Sequence, residues 1–169
     1  MPDPSVIANT SPLFYLHQVG CLGILPALYG AVIVPPAVLN ELDVGKAQGV
    51  DVPEVARIEW IHVRPVASAA LVPAVTDLGR GEAEVIALGL EIPGSLLILD
   101  DQLARRLADL HALQYTGTLG VLVKAKRAGC ISSVAAVVTA LREKGMWLTS
   151  SVVEDVLRLS GEVEQDKGL

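Results

Sequence analysis

Short, continuously apolar runs alternate along the chain with segments whose apolar positions recur every three or four residues, the pattern of buried strands followed by amphipathic helices. Ser5 to Ala8 predicts a strand closed by Asn9-Thr10-Ser11-Pro12, in which Ser11 as N-cap and Pro12 at the first helical position start a helix. A helix around Leu22 to Tyr29 leads through Gly30 to the buried strand Ala31 to Val34, and Pro35-Pro36 opens a helix reaching Leu42. Asp43 to Val55 reads as a loop and Ile58 to Val63 as an edge strand, while Ala67 to Asp77 fits either a short helix or a connector. Then come a helix from Gly81 to Leu90, a strand Leu96 to Leu99 running into Asp100-Asp101, a helix from Leu103 to Leu110, a strand near Gln114-Tyr115, and three further helices. Apolar strands in this alternation predict an α/β fold of three α/β/α layers, with a mostly parallel sheet covered on both faces. Ligands of such sheets sit beyond the carboxyl ends of the strands, where Asn9, Asp100 and Asp101 fall.

Composition narrows the picture. A length of 169 residues suits one domain, expected over 1–161, with a charged tail over 162–169 expected to fray, since domains commonly run to roughly 100–200 residues. A hydrophobic content of 51% exceeds what an ordinary monomer uses, so a homodimer or another partner covering apolar surface is expected. The net charge of −6 excludes a protein that coats nucleic acid through bulk electrostatics, so any RNA contact must be local. Cys21 and Cys130 stand far apart with no Cys/His cluster, which argues against a disulfide framework or zinc site and fits a reducing, cytoplasmic setting. Met1-Pro2-Asp3-Pro4 lacks the positive start of a signal peptide. The uncharged stretch from Gln18 to Asn40 is broken by glycine and proline, so no membrane span is expected.

The acids carry the candidate chemistry. Glu82 shares a helix face with Val85, Ile86 and Gly89, whereas Glu84 and Glu91 lie opposite, so Glu82 is expected to point inward. Its alternative is a solvated glutamate welcome at the helix start. Glu41, between Val38 and Leu42, falls at the edge of an apolar stripe and reads equally as a pocket acid or a surface one. One member of Asp100-Asp101 suits the N-cap of the following helix and the other the pocket, with Asp100 favoured for the pocket. Asn9 serves either there or as a turn residue capping a helix. Hard oxygen donors gathered in one place would hold Mg²⁺ or Mn²⁺, which activates water and offsets charge on a phosphodiester. No phosphate-binding glycine loop or nucleophile elbow occurs, and His17, His62 and His111 show no spacing for a metal cluster or a triad.

Taken together, Asn9-Thr10-Ser11-Pro12-Leu13, Pro35-Pro36-Ala37-Val38 leading to Glu41, Gly81-Glu82-Ala83-Glu84, Leu99-Asp100-Asp101, and Gly117-Thr118-Leu119-Gly120-Val121-Leu122 with Lys124-Ala125-Lys126 resemble, in order and spacing, a PIN domain of the branch related to VapC-type toxins. The resemblance spans nearly the whole chain. It implies a divalent-metal-dependent endoribonuclease acting on RNA, frequent homodimers and, in toxin relatives, an antitoxin protein that obstructs the site. Carried over, the catalytic and metal-binding acids are Glu41, Glu82 and Asp100. The sequence departs from the pattern at Asn9, where an aspartate ordinarily ends the first strand; its amide oxygen can still coordinate, with one formal charge fewer, and Asp101 is the candidate to compensate. Ser11, Lys124, Lys126 and Arg127 are the candidate nucleic-acid contacts, with Arg105 and Arg106 as further phosphate-positioning residues. The alternative is a degenerate PIN domain that binds RNA or a protein without cutting.

Overall fold

The computed structural model describes residues 2–163. Five short strands, β1 (Val6–Ala8), β2 (Val32–Val34), β3 (Ile61–Val63), β4 (Leu96–Ile98) and β5 (Gln114–Thr116), form one sheet in the order β3-β2-β1-β4-β5. Every pairing is parallel, with Ile7 opposite Ile33 and Ala8 opposite Ile98. The central strand is buried throughout, as continuous apolar runs in a doubly covered sheet require, whereas the edge strand β3 buries Ile61 and exposes His62 and Val63.

Among the described residues eight helices flank the sheet: α1 (Thr10–Gln18), α2 (Ile24–Tyr29), α3 (Pro36–Ala47), α4 (Arg80–Glu91), α5 (Gln102–Leu110), α6 (Thr118–Arg127), α7 (Val134–Glu143) and α8 (Ser150–Leu159). Helix α4 lies across β1 and β4 with α3 and α5 beside it, while α6 packs with α2, α7 and α8. The result is the expected three-layer α/β/α arrangement. Its core joins Ile7, Leu97 and Ile98 of the sheet to Leu13, Ile86 and Leu122 of the helices.

Several boundaries differ from the sequence expectation. Helix α1 begins at Thr10, with Asn9 rather than Ser11 in the N-cap position and no side-chain cap bond. Pro12 is tolerated inside the first turn because its missing N–H has no intrahelical acceptor there. Helix α3 continues through Asp43 to Ala47, so part of the expected loop is helical; Lys46 in its last turn suits the negative helix end. The uncertain 67–77 segment contains only a turn of 3₁₀ helix, Ala69–Leu71.

Of the tail expected over 162–169, residues 164–169 lie outside the described ones. Glu162 is held: its carboxylate accepts the N–H of Val134 and, at 2.8 Å, that of Ala135, and approaches Lys126 Nζ to 3.3 Å. No helix among the described residues is long and apolar enough to cross a membrane.

The order of the strands fixes the place of a ligand. The chain builds outward from β1 to β3, then returns to lay β4 on the other side of β1. The crevice beyond the carboxyl ends of β1 and β4 is therefore a topological switch point, the usual ligand position in an open parallel sheet. Asn9 and Asp100 stand there.

Candidate functional site

Asn9 leaves β1 with its backbone N–H bonded to the carbonyl of Ile98 at 3.1 Å and its side chain 1% exposed. Its Nδ2 donates to Oε1 of Glu82 at 2.9 Å. Its Oδ1 is buried with no hydrogen-bond partner, an expensive state for an amide oxygen in a protein interior.

Glu41 reaches the same place from α3. One carboxylate oxygen accepts the backbone N–H of Gly81 at 2.9 Å, and the other accepts the hydroxyl of Thr10. Both donors belong to the first turns of helices, so Glu41 sits at the N-terminal ends of α1 and α4, whose donors fix the direction of its carboxylate. Gly81 permits the approach: a Cβ there would lie 2.8 Å from Asn9 Oδ1 and 2.8 and 2.9 Å from the two Glu41 oxygens. The amide oxygen and the carboxylate thus share the space over a missing side chain, while Glu82, on the first turn of α4, comes in from the other side of Asn9.

Asp100 is arranged differently. Its two oxygens accept the backbone N–H of Thr118 at 2.8 Å and the Thr118 hydroxyl at 2.6 Å, and the Arg105 guanidinium stands 3.9 Å away. Among the described residues no three His, Cys, Asp or Glu side chains gather closely enough to hold one metal ion. The expected convergence of Glu41, Glu82 and Asp100 is therefore incomplete: the two glutamates meet around Asn9, and Asp100, though on the neighbouring strand end, is turned into the start of α6. Asp101 takes the capping role, accepting the N–H of Ala104 at 2.8 Å.

The basic candidates also find protein partners. Lys124 Nζ lies 4.3 Å from the centroid of the Tyr29 ring, Lys126 donates to the carbonyl of Ser132, and Arg127 donates to the carbonyl of Leu159 at 2.9 Å. Ser11, inside α1, is half-buried. Sequence reasoning assigned no functional role to Thr10, Gly81, Thr118 or the outward-facing Glu84. The last of these accepts the N–H of Ala37 at 3.0 Å, in the first turn of α3, and so anchors the helix that carries Glu41. Arg80, 81% exposed, joins Glu41 and Asn40 around a small cavity on the outer side of the cluster.

In kind, these donors suit a hard divalent cation. An orphaned amide oxygen and two carboxylates are the oxygen ligands that Mg²⁺ and Mn²⁺ take, and two of the three, Asn9 and Glu41, converge over the bare Cα of Gly81. A family model described as a PIN domain matches residues 5–162. Neither the curated proteins nor the solved structures provide a significant match.

Proposed function

The chain belongs to the PIN-domain family, a nuclease-type fold, and from that premise we propose that it is a divalent-metal-dependent endoribonuclease. The observation that carries this reading is the buried, unpartnered Oδ1 of Asn9 beside the Glu41 carboxylate at the switch point of the sheet. Asn9, Glu41 and Glu82 would hold Mg²⁺ or Mn²⁺, with Asp100 completing the acidic edge from β4. A bound divalent cation supplies an activated water and offsets negative charge on the phosphodiester.

The chain's own groups do the rest. Gly81 N–H and Thr10 O–H orient the Glu41 carboxylate. One of the two carboxylates accepts the proton that the attacking water sheds as its oxygen bonds to phosphorus; the bridging P–O bond breaks, and the leaving ribose oxygen takes its proton from solvent. Arg105, beside Asp100, positions a phosphate of the strand. The finer form of this reading, the toxin half of a toxin and antitoxin pair, rests on the motif resemblance, and a homodimer on the apolar composition.

One observation favours a second reading, a PIN domain that binds RNA or a protein without cutting. The Asn9 amide bonds Glu82 directly and Thr118 holds both oxygens of Asp100, so the acids are partly satisfied within the chain. Cleavage of single-stranded RNA in Mn²⁺ by the natural chain and by Asn9→Asp separates the two. Activity in the natural chain supports the nuclease, whereas activity gained only on restoring the aspartate supports the degenerate domain.

A further inference from the structure

The acid cluster uses only part of the face on which it lies. From Asp100 a groove of about 900 Å³ passes the end of β5 and runs between α6 and α8 to the loop joining α7 and α8. Leu119, Val123 and Val156 give it apolar walls, and Arg105, Tyr115 and Trp147 its polar and aromatic ones. Trp147 is 84% exposed although its neighbours Met146 and Leu148 are half-buried, so the loop is anchored while the indole stands in water. An indole so displayed loses the burial that makes tryptophan favourable, unless a ligand covers it.

At the acid end, Arg105 is held in place. Its Nε donates to the carbonyl of Leu99 at 2.8 Å and its guanidinium carbon lies 5.6 Å from the centroid of the Tyr115 ring. A fixed guanidinium at one end of an apolar groove and a free aromatic plane at the other form the combination that holds single-stranded nucleic acid, phosphate on the cation and base on the ring. We propose that this groove is the binding track for an unpaired RNA segment, with Trp147 as the platform on which a base stacks and Arg105 as the phosphate anchor. A chain of net charge −6 has no general attraction for a polyanion, so recognition must reside in such a local track. Stacking needs a base face that a duplex hides within its own stack, so the track selects unpaired strands. The Arg105 guanidinium at one end and the exposed Trp147 ring at the other favour nucleic acid over a protein occupant. The passage of the strand toward Asn9 rests on the nuclease reading; the track itself does not.

The test is fluorescence anisotropy of a labelled single-stranded RNA with divalent cations omitted, on the full chain, its Trp147→Ala and Trp147→Phe variants, and a duplex of the same sequence. The single strand is expected to bind more tightly than the duplex, Trp147→Ala to weaken it by about tenfold, and Trp147→Phe to retain most of the affinity. Unchanged affinity in Trp147→Ala overturns the proposal. So does a natural chain that sediments as a dimer while Trp147→Ala sediments as a monomer, since a second copy then occupies the groove. Cleavage assayed on the same proteins keeps the two readings apart. Stacking-dependent binding without cleavage retains the track and removes the nuclease, and cleavage with binding indifferent to Trp147 does the reverse.

Discussion

The side chain of Asn9 donates to Oε1 of Glu82 at 2.9 Å while its own Oδ1 ends, without a partner, in the space it shares with the Glu41 carboxylate. An amide in this position plays two parts. Its N–H satisfies one glutamate in the absence of an ion, and its oxygen adds to the donors available to one. An aspartate could not donate, and would set a third negative charge among carboxylates in a buried place.

Asn9→Asp is accordingly expected to destabilise the chain by about 1–3 kcal/mol when no divalent cation is present. Added Mn²⁺ should then raise its melting temperature by more than it raises that of the natural chain, because an ion that binds only the folded state stabilises it by mass action. Thermal unfolding with and without Mn²⁺ checks both statements.

Gly81→Ala places a methyl group 2.8 Å from Asn9 Oδ1 and within 2.9 Å of both Glu41 oxygens. Overpacking of this kind costs about 1–3 kcal/mol. The shift should fall on the oxygens themselves, so Mn²⁺ affinity measured by calorimetry is expected to drop together with the denaturation midpoint. Loss of stability with unchanged Mn²⁺ affinity would place the ion elsewhere.

Glu84 faces away from the cluster yet holds the helix that supplies Glu41, through Ala37 N–H at 3.0 Å and an ion pair with the exposed Arg80 at 3.4 Å. Glu84→Ala should lower stability by about 0.5–2 kcal/mol, the usual cost of losing a helix-start acceptor. Its effect on RNA cleavage is expected to be smaller than that of Glu41→Gln, which removes a donor of the site directly. Urea denaturation and initial cleavage rates on both variants supply the comparison.

The layers, the parallel sheet and the inward face of Glu82 were legible because each is written in local pattern, apolar runs for buried strands and three-and-four spacing for a helix face, whereas local pattern left Asn9 and Glu41 open between the pocket and a structural or surface role. The orientation of Asp100 was not, since it depends on Thr118, which is eighteen residues away and meets it only when β4 and α6 are assembled. The extension of α3 past Leu42 escaped notice because Asp43 and Gly45 read as loop residues while the tertiary contacts of the helix decide otherwise. Lys126 looked available to a phosphate, but its partner Glu162 lies thirty-six positions further along the chain.

Glu162 gives a pH dependence with a definite sign. Partial burial raises its pKa, but the N–H groups of Ala135 and Val134 and the Lys126 ammonium outweigh this and hold it below its ordinary value of 4.5. A depressed folded-state value means stability that is present above the unfolded value and is lost as the pH falls below it. Glu162→Gln is expected to be less stable than the natural chain at neutral pH and to show a shallower loss between about pH 4.5 and more acidic conditions. Equilibrium unfolding across that range reads the slope.

Hydrolysis of RNA at the Asn9, Glu41 and Glu82 cluster is tested most directly by Mn²⁺-dependent cleavage of single-stranded RNA by the natural chain and by Glu82→Gln, prepared identically. The natural chain is predicted to cleave, and the variant to be slower by at least about a hundredfold, as expected when a group that takes part in proton transfer is neutralised. Equal residual cleavage by the two proteins would remove the cluster from the chemistry and point to a contaminating nuclease.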